Sequence, residues 1–499
     1  MISTKVIAVV LAVIVVAGGV TAVVIYNNNN KGTTDETELN LQSADVKACL
    51  EVYGNVNEDA VIDAKDKEAL TKAIADGKTS DYKYADANFD GVVNDADVDY
   101  IQSIIDATYG SPVAVKHLCR YTKGDYYNVS QVPINAIVMT GAANMFAMVK
   151  YLGLGAPDAS NPIKAIAYSG TIDKTLYPEY QGFFSSNDYN VGTIKDGKNA
   201  GSAGYFNIER VTNHVISEGV KAIFTADNAS SYLSGANDKN PNCYDEKGAI
   251  DAGLFVFRFA HASCDMHKYL SDLALMQFAL GIDTDIIPAL EAWCGSFFSD
   301  LNEKLESHIG KDTKQVKVAV TSSVEYKKEK DGTITTYNYI SSDTSDYTDV
   351  SNSAGGYFAL KGFDFKGSSS SPKMTDLGEW LADYKIDKIV HVKTGSGFSW
   401  YGGDAITKGK DTLTKGPNAL QKTSAFYNNE IYVITGDAPV PIRIAYMAHV
   451  LYPEIFSEQW ALNYNISLCK LIGINADTVK NGIYFVDMED LGLKGDSTA

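Results

Sequence analysis

Twelve residues from Asp86 to Asp97 carry oxygen at the spacing a calcium ion requires. Calcium takes six to eight hard oxygen ligands, and a 12-residue loop presents them at positions 1, 3, 5, 7, 9 and 12. Here those positions hold Asp86, Asn88, Asp90, the Val92 carbonyl, Asn94 and Asp97, with Gly91 at position 6, where such a loop turns sharply. Position 12 is Asp rather than the more usual Glu. The pattern recurs upstream as Asn55, Asn57, Asp59, the Val61 carbonyl, Asp63 and Asp66. This copy starts on Asn, which removes a charge, and has Ala60 at position 6, where positive φ is disfavoured. The expected cofactor is therefore Ca2+ in two loops, the second binding more strongly.

Other reactive clusters are sparse. His261, Cys264, Asp265 and His267 lie close in sequence. Their spacing fits either a transition-metal face on a helix or a helix-start cap beside a buried Cys. The chain lacks Gly-x-Ser-x-Gly, His-Glu-x-x-His and Walker motifs, so it is not expected to be an enzyme. Lys and Arg total 43 against 62 Asp and Glu, a net charge of −19, which argues against a nucleic-acid partner. The 31 Tyr and 19 Phe against 7 His and 6 Cys favour stacking contacts over a soft-metal cage. Six cysteines in an exported chain are compatible with disulfides or with buried free thiols. Asn128, Asn228 and Asn465 head Asn-x-Ser triplets, the pattern of glycan acceptors.

The elements that position these groups are legible as a sequence of patterns. Val6–Tyr26 is an uncharged run after Lys5, of a length that suits a membrane-spanning helix with its N-terminus inside. It is read as a retained anchor or a cleaved signal (1–26). A polar linker is expected over 27–49 and the calcium module over 50–110. From 115 to 490, short apolar strands alternate with helices: 136–139, 163–168, 222–225 and 254–257, then 316–321, 388–392 and 431–434. That alternation predicts an α/β fold of parallel sheets. Between the two series, 286–309 reads as one long helix with an apolar stripe. Two lobes (130–282 and 315–490) joined by a helix at 283–310 make a clamp. Open parallel sheets bind ligands at the carboxyl ends of their strands. The candidate contacts are thus Thr140, Gly141, Tyr168, Asn228 and Arg258 in the first lobe. In the second they are Tyr326, Ser396, Phe398, Trp400 and Tyr401. Flat rings suit a macrocycle or catecholate, and Arg258 suits an anionic chelate.

Two resemblances follow. The paired Asp-terminated loops, each leading into a helix (65–76 and 95–108), resemble a dockerin domain. This implies two calcium ions and a cohesin-like partner. Ala64-Lys65 and Asp95-Ala96 occupy loop positions 10 and 11, where Ser or Thr often serves cohesin recognition, and so depart from that pattern.

Residues 115–490 resemble the helical-backbone substrate-binding proteins of ABC importers for iron chelates, haem and cobalamin. The resemblance rests on Ala142-Ala143-Asn144 through Gly155, Asn207-Ile208-Glu209, Pro441-Ile442-Arg443 and Leu451-Tyr452-Pro453-Glu454-Ile455-Phe456. It implies two Rossmann-like lobes on one backbone helix, an iron-siderophore, haem or cobalamin ligand, and a membrane permease. Glu209 and Glu379 match the family's permease-docking carboxylates. Met145 and Phe206 depart from the family pattern, and the insertions at 171–203 and 326–349, rich in Tyr, Ser, Asp and Gly, are read either as shaping the cleft or as surface loops. The alternative is a dockerin-mounted cell-surface adhesion or polysaccharide-handling protein.

Overall fold

The computed structural model describes residues 39–493, apart from 108–110, 122–123, 141–142, 157–159, 168–176, 186–193, 196–197, 200–218, 228–252, 311–312, 329, 331–333, 343–344, 360–372, 375–385, 394–402 and 415–418. The described residues belong to one compact unit.

Two helices of the small module come first, α1 (Ala64–Ala75) and α2 (Asp95–Ala107). Asp63 and Asp66 form a reciprocal capping box at the start of α1. The two helices close over Val56, Leu70, Ala85, Ala87 and Ile101. An antiparallel hairpin follows, β1 (Val113–Cys119) and β2 (Tyr126–Val132), which the apolar patterning had not indicated.

The first lobe contains β3 (Ile137–Thr140), α3 (Ala143–Tyr151), β4 (Ile163–Ala167), β5 (Ala222–Ala226), β6 (Phe255–Phe259) and α4 (Met266–Leu280). Its strands run in the order β4-β3-β5-β6, all parallel. Near-continuous burial of β5 and β6 is the mark of a sheet covered on both faces.

Helix α5 (Ile286–His308) carries the chain onward. Its 23 residues span about 35 Å at 1.5 Å per residue. Ile287, Leu290, Cys294, Phe297, Phe298, Leu301 and Leu305 recur at helical spacing and are buried.

The second lobe holds β7 (Lys317–Lys328), β8 (Ile334–Ile340), α6 (Asp346–Ser353), β9 (Tyr357–Phe358), β10 (Lys373–Met374), β11 (Lys388–Lys393), β12 (Ile431–Thr435), α7 (Val440–Leu451), α8 (Glu458–Leu471) and β13 (Phe485–Val486). The sheet order is β10-β8-β7-β11-β12-β13, with β9 also paired to β7. The β7-β11-β12 centre is parallel as expected, but β8, β10 and β13 are antiparallel additions. The inserted stretch 326–349 supplies part of β7, all of β8 and the start of α6, so it is not simply a surface loop. Helix α8 packs on α5 through Trp293, Phe297, Trp460 and Tyr464. The Trp460 indole N–H and the Tyr464 hydroxyl both donate to Asp300, at 2.7 and 3.0 Å.

One expectation about the N-terminal region needs correction. The described end of the expected linker, 39–49, is not a free tether. It lies along α5 as a strap. Gln42 donates to Ser353 Oγ at 2.9 Å, Asn302 donates to the Gln42 carbonyl at 2.8 Å, and the Ala48 amide donates to Glu291 at 2.7 Å. A Cβ on Gly295 would lie 3.1 Å from the Ala44 carbonyl, so the strap runs against the bare helix backbone there. Val46, Ala48, Cys49 and Leu50 are buried by this contact. The calcium module packs against the rest of the chain. Val52 bridges His117 of β1, and the Tyr53 amide donates to the Lys116 carbonyl at 2.9 Å. Leu50, Val52 and Ile104 belong to the main core.

The run Val6–Tyr26 lies outside the described residues. Among those described, no helix is long and apolar enough to cross a membrane.

Candidate functional site

The two 12-residue loops share a hydrogen-bond scheme, position by position. At position 3, Asn57 and Asn88 accept from the amides of Asp59 and Asp90, at 3.0 and 2.9 Å. At position 5, Asp59 and Asp90 accept from Val61 and Val92, at 2.9 and 2.8 Å. At position 9, Asp63 and Asn94 accept from Lys65 and Ala96, both at 2.7 Å. The position-12 carboxylates, Asp66 and Asp97, are fully buried. Each bridges the amides of positions 3 and 9. One oxygen of each position-1 residue, Asn55 Oδ1 and Asp86 Oδ1, is buried without a hydrogen-bond partner. A buried orphan acceptor is costly, and a cation is one way to satisfy it.

The loops differ at position 6. Gly91 adopts φ +88° and donates to Asp86 Oδ2 at 3.1 Å, while Ala60 stays out of the positive-φ region and makes no such bond. Asn55 instead ties its amide to the carbonyls of Leu50 and Asp59, at 2.7 and 2.6 Å. An all-oxygen donor set suits calcium. As the side chains stand, no group of three or more His, Cys, Asp or Glu among the described residues is placed to hold a metal ion.

The loop-1 side faces lobe 1. Leu50, Ala60, Val61, Ile62 and Asp63 share a cavity of about 230 Å³ with Ile105 and the C-terminal end of α4, including Gln277, Phe278 and Gly281.

The second site lies where the lobes meet. Strands β6, β8 and β12 end at Phe259, Ile340 and Thr435, and helices α4, α6 and α7 begin at Met266, Asp346 and Val440. These helix starts converge. The Cys264 thiol of lobe 1 is 3.9 Å from the Asp346 carbonyl of lobe 2. Arg443 Nη1 in the first turns of α7 is 3.6 Å from Asp346 Oδ2. Burial, reinforced by Asp346 and opposed by Lys268 across the junction, pushes the Asp349 carboxyl up to about 6. In the second sheet His391 Nδ1 pairs with Thr321 Oγ1 at 2.9 Å, and burial lowers His391 to about 3, so the ring is neutral.

Among the predicted contacts, Thr140 ends β3 and Tyr326 lies in β7. Arg258 is fully buried in β6, donates to the Ala226 carbonyl at 3.2 Å and lies 4.9 Å from the Tyr121 ring centroid. It is a core residue of the sheet edge rather than the open cleft residue expected, because Tyr121 after β1 covers it. Gly141, Tyr168, Asn228, Ser396, Phe398, Trp400, Tyr401, Glu209 and Glu379 lie outside the described residues.

The His261 cluster is dispersed. Asp265 caps α4, Cys264 is buried, His261 lies 3.7 Å from Asp227, and His267 bonds the Lys47 carbonyl. Asn465 is fully buried and does not suit a glycan acceptor in the folded chain. Cys49, Cys119, Cys264, Cys294 and Cys469 are free and buried. Sequence reasoning missed the Arg443–Asp346 pair. The available signal was Arg443 of the Pro441-Ile442-Arg443 motif, the one Arg or Lys in α7, just after a strand end.

No family model matches the chain, and no curated protein matches it. Among solved structures it is similar to the TroA-like periplasmic binding protein FepB from Veillonella parvula. That match has 15% identity and a TM-score of 0.47, covering 74% of this chain and 99% of the other. A periplasmic solute binding protein of Veillonella parvula DSM 2008 matches at 16% identity and a TM-score of 0.44, over 74% and 97% of the two chains. The petrobactin-binding protein YclQ from Bacillus subtilis matches at 12% identity and a TM-score of 0.36, over 73% and 99%.

Proposed function

We propose that this chain is an extracytoplasmic substrate-binding protein of an ABC importer that captures a metal chelate and delivers it to a membrane permease. The observation that carries this reading is the junction at Asp346. There, α4 and α7, which follow the carboxyl ends of parallel strands β6 and β12 in two separate sheets, meet at the start of α6, and the two sheets are bridged by helix α5. This arrangement supports a ligand crevice between the two sheets. The motifs around Asn207-Ile208-Glu209 and Leu451–Phe456 support the same family. In this reading the ligand is an iron-siderophore, haem or cobalamin, Glu209 and Glu379 dock the permease, and Val6–Tyr26 anchors or exports the chain.

The calcium loops form part of the proposal. Asn55, Asn57, Asp59, the Val61 carbonyl, Asp63 and Asp66 would hold one ion. Asp86, Asn88, Asp90, the Val92 carbonyl, Asn94 and Asp97 would hold the other. The orphaned Asn55 and Asp86 oxygens support this assignment. Because loop 1 faces α4, the module is proposed as a calcium-dependent brace of lobe 1 rather than a plug for a cohesin.

The test is a thermal-shift screen of the full chain against hemin, cobalamin, ferric siderophores and oligosaccharides. A chelate should raise the melting temperature, and Trp400→Ala with Tyr401→Ala should remove the effect. Stabilisation by oligosaccharides alone would overturn the reading.

A further inference from the structure

Arg443 is 1% exposed, and none of its three guanidinium nitrogens has a hydrogen-bond partner among the described residues. Asp346 Oδ2 lies 3.6 Å from Nη1, beyond hydrogen-bond distance, and its side chain is 43% exposed. A buried cation whose donors are unmet is unfavourable, and such groups in folded proteins call for an explanation. The surroundings supply one. Arg443 lies near the start of α7, whose N-cap Pro439 offers no side-chain hydrogen bond. The positive end of a 12-residue helix and a guanidinium therefore stand together at the lobe junction. Arg258 is different in kind, since it already serves the Ala226 carbonyl and packs against Tyr121.

We infer that Arg443 is held for an anionic oxygen group of the captured chelate, a carboxylate or catecholate, and that Asp346 stands in for that group in the free protein. This deepens the chelate-capture reading and rests on it. A guanidinium fork matches a paired-oxygen anion and rewards it with two parallel charge-assisted bonds. Half-exposed Asp346 is the movable member of the pair. Its displacement by a ligand oxygen would exchange a contact at 3.6 Å for hydrogen bonds.

The experiment is a fluorescence titration of the full chain with hemin, ferric citrate, a ferric tris-catecholate, and ferrioxamine B, a hydroxamate chelate lacking both carboxylate and catecholate. The wild-type chain should prefer one of the three anionic probes. Arg443→Met should weaken that probe at least tenfold while changing ferrioxamine B less than twofold. Asp346→Asn should strengthen the anionic probe, because the internal competitor loses its charge. An anionic probe that binds wild type and Arg443→Met equally overturns this inference and leaves chelate capture standing. So does a wild-type preference for ferrioxamine B. Failure of all four probes overturns the capture reading and this inference with it. If Arg443→Met does not fold, Asp346→Asn decides, and unchanged or weaker binding of the anionic probe overturns the inference.

Discussion

Arg120 Nε donates to Asp272 Oδ1 at 3.3 Å, and through this pair the small module is fastened to the first lobe. The other two guanidinium nitrogens reach Glu51, at the edge of calcium loop 1, and Asp125 in the β1-β2 turn. Asp272 also accepts from the Ala260 amide. Burial pushes the Asp272 carboxyl up while Arg120 opposes that shift. Removing the cation strands two nearly buried carboxylates. Arg120→Met should therefore cost about 3–5 kcal/mol in chemical denaturation. Asp272→Asn in the Arg120→Met background should recover part of that loss, whereas additive effects of the two changes would contradict the coupling.

Calcium should stabilise the lobes and not only the loops. Leu50 is held by loop 1, since its amide donates to the Asp59 carbonyl at 2.8 Å, and the next residues pair with β1. Calcium at a hundred times its dissociation constant should raise the stability of the main unfolding transition by about 2.7 kcal/mol per site. Asp86→Ala with Asp97→Ala should remove most of the loop-2 share. A calcium effect confined to a separate early transition would show that the module folds independently of lobe 1.

Buried His391 gives a pH dependence with a definite sign. Its native pKa of about 3 lies below the ordinary value of 6.5. Above pH 6.5 the ring is neutral in both states and contributes nothing. As pH falls below 6.5 the unfolded chain takes up a proton that the native chain refuses, so stability is lost until about pH 3. His391→Gln should abolish this loss. The stability of the variant relative to wild type should rise by about 2 kcal/mol between pH 7.5 and pH 5, measured by urea unfolding. A constant difference across that range would refute the assignment.

The five buried thiols should be inert in the native chain. Burial pushes Cys49, Cys294 and Cys469 to about 12, and Cys264 higher still. The thiolate is the reactive form. Ellman's reagent should therefore modify these five cysteines only after denaturation. Rapid native labelling at Cys264, located by mass spectrometry, would mean that the lobe junction opens readily.

Local patterns were sufficient wherever local physics decides. Oxygen residues at alternating positions, closed by a buried Asp, specify the loops, because the side chains at positions 3, 5 and 9 each bond a backbone amide two residues on and the closing Asp bonds back to positions 3 and 9. Apolar runs such as Ala222–Ala226 specify the central strands, and the stripe from Ile287 to Leu305 specifies α5. Tertiary structure decided what those elements touch. Leu39–Cys49 reads as a polar tether, yet a bare Gly295 and the carboxylate of Glu291 turn it into a strap. Arg258 reads as a cleft residue, and Tyr121, more than a hundred positions away, covers it. Arg443 and Asp346 are almost a hundred residues apart, and the Pro441-Ile442-Arg443 motif says nothing of Asp346. They meet because α6, which follows β8, packs on α7, which follows β12, although those strands run in opposite directions with two others between them, and long-range burial, rather than spacing, sets which charges are left without a partner.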